Sequence, residues 1–293
     1  MQQESLFIKD GEHQLHLRHI FKAEQGIPVL MLHGTMENGK IFYTESGKGL
    51  ACFLAENGFD VYVADFRGKG LSTPSLANNP EHGQWELINK DIPLFMDFIK
   101  NKTQQKLHII SHSWGGVLLK SFLARYPNKV NDIGRLAFFG TKRTIHQKHL
   151  EKRLKIDVFW KRLAPIIAKR KNYIDLVKLK AGSDNETLPF IQQSIPWLNK
   201  APWQDTVDDF NYNQAVKQID WPESWHITGI NDSFLGHPED VKHFIDESNP
   251  NAKYSVLSVK AGNQLDYDHI NILTHKAAVT DHFPQISDWL KGK

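Results

Sequence analysis

Two periodicities of apolar residues run along the chain, and the switches between them predict strands and helices in alternation. Short apolar runs bounded by glycine or polar residues are typical of buried strands. They occur at 5–9, 15–21, 28–33, 59–64, 106–111, 133–140, 225–229 and 254–259. Apolar residues at helical spacing occur at 49–57, 84–101, 114–126, 238–246 and 272–290. This alternation favours an α/β fold with a mainly parallel twisted sheet and helices on both faces.

Residues 142–220 depart from this alternation and differ in charge from their flanks. Between 142 and 180 there are 13 Lys and Arg against three acids, whereas between 181 and 220 there are two bases and six acids. The net charge of +3 is therefore the sum of a basic segment and a slightly acidic remainder of the chain. Apolar residues such as Phe159 and Leu163 recur there at helical spacing, so we predict a helical insertion on the sheet. A length of 293 residues suits either two domains or one with such an insertion.

Cysteine content and hydropathy bear on the compartment. The single Cys52 excludes an intramolecular disulfide framework and a cysteine zinc cluster, and it fits a reducing environment. The first 20 residues contain Lys9, Glu12 and three His without a long apolar run, so we expect no secretory signal peptide. No stretch approaches the roughly 18 apolar residues of a membrane span. These features predict a cytoplasmic protein.

Sequence motifs for cofactors and metals are weak or missing. Residues 68–73 imitate a dinucleotide-binding loop but lack its third glycine, and Pro74 follows at once. The sequence holds neither a G-x-x-x-x-G-K-[ST] loop nor an H-E-x-x-H pair. We therefore expect no cofactor and no metal.

A strand-to-helix turn around Ser113 has the spacing of a nucleophile elbow. An apolar run leads through Ser111-His112-Ser113-Trp114-Gly115 into an amphipathic segment. A nucleophile on so sharp a turn needs small residues two positions before and two after it, since larger side chains would clash with neighbouring backbone. Ser111 and Gly115 meet this need for Ser113, whereas Ser111 itself would need a small residue in place of Ile109. We predict that Ser113 is the nucleophile.

With two further motifs, this turn resembles the α/β-hydrolase superfamily. His33-Gly34-Thr35 ends a predicted strand, where that family carries its His-Gly oxyanion loop. Residues 64–72 are similar to the family's D-x-R-G-x-G-x-S turn. Residues 54–61 and 91–93 look most like esterases and lipases of the acid-lipase branch and their bacterial relatives.

The resemblance covers residues 1–141 and 221–293 and implies an α/β-hydrolase fold for this catalytic core. Residues 142–220 lie where that family places a helical cap, and we call them the cap segment.

The resemblance also implies an acid and a base for Ser113, in the chain order serine, acid, histidine. Asp232 follows a predicted strand, where the family has its acid; the weaker alternatives are Asp208, Asp209 and Asp240. His269 lies in a segment that resembles the family's histidine loop, with Asp268 in place of the usual glycine. A serine at neutral pH needs such a base, and the base needs an orienting carboxylate.

This set predicts a serine hydrolase that cleaves a carboxylic ester with an apolar acyl part through an acyl-enzyme. The backbone N–H groups of Thr35 and Trp114 would form the oxyanion hole. Two alternatives remain open: a thioesterase with the same triad, and a non-catalytic protein whose pocket binds a ligand or a lipid surface.

The basic half of the cap segment has three interpretations. A solvated helix face is favoured. A surface that attracts anionic lipid or an anionic substrate is the second, since Lys and Arg beside an apolar helical stripe are typical of an interfacial helix. We expect no nucleic acid, because no known binding module accompanies the basic residues.

Overall fold

The computed structural model describes residues 1–22, 25–199 and 202–293. Eight strands form one sheet: β1 Gln2–Asp10, β2 His13–Phe21, β3 Ile27–Leu32, β4 Phe59–Asp65, β5 Leu107–His112, β6 Ile133–Phe139, β9 Ser224–Gly229 and β10 Lys253–Leu257. Their order across the sheet is β1-β2-β4-β3-β5-β6-β9-β10. Strand β2 pairs antiparallel with both β1 and β4, and all other neighbours in the sheet are parallel. All eight predicted strands are confirmed.

Helices connect these strands, and one predicted helix is wrong. The α-helices of the described residues are α1 Leu50–Glu56, α2 Gln84–Glu86, α3 Ile92–Thr103, α4 Trp114–Arg125, α5 Leu150–Lys152, α6 Ala164–Ala168, α7 Leu188–Trp197, α8 Tyr212–Ala215, α9 Pro238–Ser248, α10 Asn271–Thr274 and α11 Phe283–Leu290. The helix predicted at 272–290 is broken at His275, which is extended, and by a 3-10 turn at Lys276–Val279. A new helix then begins at Phe283, with Pro284 in its first turn. Proline is favoured there because the N–H that it lacks would have no partner within the helix.

The helical segment predicted at 84–101 is present, but it changes helix type before Pro93. A π-helical turn at Leu87–Asp91 separates α2 from α3, and Pro93 stands in the first turn of α3. Proline has no N–H to donate to the preceding turn, so the regular α-helical hydrogen-bond pattern is interrupted there.

The sheet separates two hydrophobic cores, because successive strand side chains point to opposite faces. Leu30, Leu32 and Ile109 pack on the face covered by α3 and α4. Val29, Met31 and Ile110 pack on the face covered by α1 and α11. Both faces of the parallel strands are therefore buried, and the loops at their carboxyl ends are left to form a site.

The cap segment holds α5 to α8, a π-helical stretch at Arg153–Leu163, and a short antiparallel pair of β7 Tyr173–Ile174 with β8 Glu186–Thr187. Lys200 and Ala201 of this segment lie outside the described residues. Trp160, Trp197 and Trp203 anchor it in the core beside α4.

The helical periodicity of the cap segment is only partly matched by burial. Ile174 and Leu176 are buried, but Leu163, Ile166 and Ile167 are exposed, Ile166 at 65%. The spacing of apolar residues predicts an apolar stripe on a helix but does not say what packs against it. Here the stripe is exposed to solvent. Within the described residues, no helix is both long enough and apolar enough to cross a membrane.

Candidate active site

Ser113 stands on the sharp turn between β5 and α4. Its backbone adopts φ 51° and ψ −126°, which is strained for a residue with a Cβ and is typical of functional turns. A Cβ on Gly115 would lie 2.3 Å from the carbonyl oxygen of His33, so this position requires glycine. The small residues predicted around Ser113 thus have a direct steric reason.

The structure brings Ser113, His269 and Asp232 together. The Nε2 atom of His269 lies 2.9 Å from the Oγ atom of Ser113, and its Nδ1 lies 2.5 Å from Oδ2 of Asp232. Since Asp232 is only 2% exposed, no bulk water competes for its carboxylate. The arrangement allows the Ser113 hydroxyl to donate to an imidazole whose other nitrogen donates to a carboxylate.

The electrostatics around Asp232 favour its ionised form. Burial alone would raise the pKa of Asp232, but His269, the Gly236 N–H and the charge of Lys142 together hold that pKa below its ordinary value. The alternative acids lie elsewhere: Asp208 pairs with Arg125, and Asp240 accepts hydrogen bonds from His146.

Asp268 stands before His269, where the family usually has glycine, and its backbone is not in the left-handed region. Its Oδ1 accepts hydrogen bonds from the N–H groups of Ile270 and Asn271, at 2.9 and 2.8 Å. A short acidic side chain is favoured where it satisfies free N–H groups at a turn into a helix. The departure from the family pattern therefore leaves the loop intact.

Both predicted oxyanion donors border the Ser113 hydroxyl. Thr35, Ser113 and Trp114 line the same cavity, and a Cβ on Gly34 would lie 2.8 Å from the Cβ of Ser113. The Thr35 and Trp114 N–H groups donate to no other group within 1–22, 25–199 and 202–293. They are therefore available to an oxyanion.

Glu37 and His112 form a buried pair behind the site that the sequence did not reveal. Oε1 of Glu37 accepts from the Gly34 N–H at 2.5 Å and from Nδ1 of His112 at 2.6 Å. Nε2 of His112 donates to the carbonyl oxygen of His269 at 2.9 Å. The pair thereby links the loop at Gly34 to the backbone of His269.

Charge stabilises this pair. Burial alone would lower the pKa of His112 and raise the pKa of Glu37, but each group's charge reverses that shift for the other. The pKa of His112 is therefore raised and that of Glu37 lowered, so an imidazolium faces a carboxylate. An imidazolium donates from both ring nitrogens, as the two contacts of His112 require.

The cap segment also holds the oxyanion loop, through residues that carried no local signal. Oε1 of Glu186 accepts from the Thr35 hydroxyl at 2.9 Å and from the Met36 N–H at 2.8 Å, and it pairs with Lys69 at 2.7 Å. The Asp184 N–H donates to the Met36 carbonyl at 3.0 Å. The loop conformation therefore depends on residues about 150 positions away.

A cavity of about 510 Å³ opens over Ser113. Its wall is mainly apolar, with Ile156, Phe159, Trp160 and Phe190 from the cap segment. Such a volume suits a small ligand with an apolar part. The described residues contain no cluster of His, Cys, Asp or Glu that could hold a metal ion.

The sequence profile of the alpha/beta hydrolase fold family matches residues 27–216. This match spans well over half of the chain, so the chain belongs to that family, and its sheet and helices have the corresponding fold.

Curated relatives include several lipases. Triacylglycerol lipase 2 of Arabidopsis thaliana is 33% identical over 98 residues, which are 31% of this chain and 23% of that protein. Gastric triacylglycerol lipase of Mus musculus is 32% identical over 97 residues, 30% of this chain and 25% of that protein. The chain thus spans about a quarter of the length of these relatives.

Solved structures match almost the whole chain. A soluble variant of monoglyceride lipase from Saccharomyces cerevisiae has a TM-score of 0.71 at 17% identity, over 98% of this chain and 94% of that one. The thioesterase domain from the curacin biosynthetic pathway has a TM-score of 0.60 at 17% identity, over 99% of both chains. At these identities the likeness shows the fold.

Proposed function

We propose that the protein is a serine hydrolase that cleaves a carboxylic ester with an apolar acyl part. One observation carries this proposal: His269 joins the Ser113 hydroxyl to the buried Asp232 at the floor of an apolar cavity. The similarity to lipases supports an ester as the substrate.

In this mechanism the Ser113 oxygen attacks the ester carbonyl carbon while its proton moves to Nε2 of His269. The carbonyl oxygen becomes an oxyanion that accepts hydrogen bonds from the Thr35 and Trp114 N–H groups. The intermediate collapses, and the leaving alcohol takes the proton from Nε2. A water molecule then attacks the acyl-enzyme, gives a proton to Nε2, and releases the acid and the Ser113 hydroxyl.

Covalent labelling tests the nucleophile. A fluorophosphonate is expected to add one adduct to the wild-type protein, at Ser113, because this is the serine that faces His269 in the part of the chain that the structure describes. Intact-mass and peptide mass spectrometry measure it. Ser113→Ala is expected to abolish the adduct, whereas Ser111→Ala keeps it, since alanine is also small.

Absence of any adduct in the wild-type protein would contradict the proposal and favour a non-catalytic binding protein. A thioesterase would label equally, so it is separated by comparing kcat/KM for matched butyryl esters and thioesters. The similarity to a thioesterase domain is one of fold and does not favour thioesters by itself.

We further propose that the cap segment docks on an anionic lipid surface. In its basic half, residues 142–180, exposed apolar side chains lie among basic residues: they are Leu150, Leu154, Val158, Leu163, Ile166, Ile167, Val177 and Leu179. Exposed apolar groups surrounded by lysine and arginine match a surface of acyl chains under anionic headgroups. The same elements line the cavity over Ser113, so docking would bring an apolar ester to its mouth.

Vesicle co-sedimentation tests this docking. Binding is expected to phosphatidylcholine vesicles that contain phosphatidylglycerol, and to be lost at high salt because screening weakens exposed charge interactions. The double variant Ile166→Ser/Ile167→Ser should bind at least about tenfold more weakly, since each isoleucine loses burial in the acyl region. Val259→Ser, an exposed apolar residue outside the cap segment, is the control. Equal sedimentation with neutral vesicles would disprove the docking.

A further inference from the structure

Lys142 is a buried cation in the wall of the candidate active site. It follows β6 closely, is only 6% exposed, and lines the cavity that also contains Ser113 and Trp114. Its Nζ atom lies 5.9 Å from the centre of the Trp114 ring. Among residues 1–22, 25–199 and 202–293, this ammonium has neither a hydrogen bond nor an ion pair. A buried charge without a partner is costly, so its presence calls for an explanation.

Other buried lysines of the protein have partners. Lys69 pairs with Glu186 at 2.7 Å, and Lys120 donates to the Ser248 hydroxyl at 2.7 Å. Lys142 differs because its side chain ends at the cavity and not at a protein acceptor.

The acids nearest to Lys142 are engaged elsewhere. Burial lowers the pKa of Lys142 to about 8, and the charges of Asp240 and Asp232 oppose that shift. Asp232 bonds to His269, and Asp240 accepts from the backbone N–H and the ring of His146. Neither is within ion-pair distance of Lys142, which is therefore available as an ammonium at neutral pH.

The rest of the cavity wall strengthens the positive potential. Lys155 and Lys180 also line it, at exposed positions, and none of its described lining residues is acidic. Lys155 pairs with Glu151, so Lys142 is the buried and unpaired cation of the three. An anion that entered this apolar cavity would meet a cation in a medium that screens poorly.

We propose that Lys142 is a specificity residue that binds a singly charged anionic group of the substrate. The preferred substrates are then esters that carry one negative charge, such as a carboxylate, together with an apolar chain. The charge can stand on the acyl or on the alcohol side of the ester, and the experiment below separates the two. This inference rests on the proposed ester hydrolysis.

A purely structural role for Lys142 makes a different prediction. If its charge served only to balance Asp232 and Asp240, its removal would slow all substrates by the same factor. If it binds the substrate, its removal changes the ratio between charged and neutral substrates. That ratio is therefore the measurement.

Two matched substrate pairs give the ratio. For the acyl side, mono-4-nitrophenyl glutarate is compared with 4-nitrophenyl valerate, which replaces the terminal carboxylate by a methyl group. For the alcohol side, 3-carboxyphenyl butyrate is compared with 3-methylphenyl butyrate. In Lys142→Met, the ratio of kcat/KM for charged over neutral substrate is expected to fall at least tenfold in one pair. Lys142→Arg should restore most of it, and Lys260→Met, an exposed lysine outside the cavity, should leave it unchanged.

The outcomes separate this inference from the proposed function. Turnover of all four substrates with an unchanged ratio in both pairs overturns the role of Lys142 but leaves ester hydrolysis standing. If the wild-type protein hydrolyses none of them, calorimetric binding of monobutyl glutarate to the wild-type and Lys142→Met proteins still decides the subsite. Equal affinities would overturn it, and at least tenfold weaker binding to the variant would support it. Melting temperatures confirm that the variants are folded.

Discussion

Replacing Asp232 by asparagine is expected to lower kcat for 4-nitrophenyl butyrate about 10⁴-fold, with little change in KM. The asparagine amide can donate to Nδ1 of His269, which favours the tautomer with the proton on Nε2. That nitrogen then cannot accept the Ser113 proton, although the geometry is kept. Because Asp232 is buried, no water replaces its carboxylate.

Steady-state kinetics of Asp232→Asn measure the effect, with Asp209→Asn as the matched control. Asp209 is exposed and contacts neither His269 nor Ser113, so its variant should stay within about twofold of wild type. An Asp232→Asn protein with near wild-type kcat would refute the assignment.

Stability should follow the pKa of Asp232. The folded protein holds this pKa below its ordinary value, so the unfolded chain binds the proton more readily. The resulting stabilisation is present above the unfolded pKa and is lost as the pH falls through the folded pKa. Asp232→Asn should therefore flatten the acid limb of the free energy of unfolding, as denaturant titrations at several pH values would show.

Replacing Glu37 by leucine is expected to lower kcat about 100-fold, although Glu37 does not contact the Ser113 hydroxyl. The change leaves the His112 imidazolium without its carboxylate and the Gly34 N–H without its acceptor. Both the oxyanion loop and the backbone of His269 then lose a support, and a displacement near 1 Å costs a rate factor of this order. Glu37 and His112 are positioning residues in this account.

Glu37→Gln is the discriminating control. Its amide oxygen can take the place of Oε1 and still accept from the Gly34 N–H and from Nδ1 of His112. We expect less than about a tenfold loss of kcat, because both of these hydrogen bonds are kept although the negative charge is lost. A mere packing role would make both variants alike or would raise KM while kcat stayed constant; either result would contradict the positioning role.

Constraints between neighbouring residues explain how the sequence predicted part of the candidate site. The strand before Ser113 is an unbroken apolar run, and small residues must flank a nucleophile on this turn, so both signals lie within a few residues. His33-Gly34-Thr35 carries a similar short-range constraint, because Gly34 packs against the Cβ of Ser113. The helix predicted at 272–290 was wrong because apolar periodicity continues across His275 and Pro284, where the backbone leaves the helix.

By itself, the sequence determined the alternating α/β architecture and the nucleophile turn, since these depend on residues adjacent along the chain. The order of the candidate triad followed from the resemblance to the α/β-hydrolase superfamily. Only the tertiary structure showed that Glu37 supports His112 from 75 positions away and that Glu186 holds the oxyanion loop from the cap segment. It also showed that Lys142 lines the cavity over Ser113 without an ion-pair partner among the described residues, and that the apolar stripe of the cap segment is exposed to solvent. Contacts between segments that are far apart in the sequence depend on how the whole chain folds. The periodicity and spacing of neighbouring residues therefore cannot predict them.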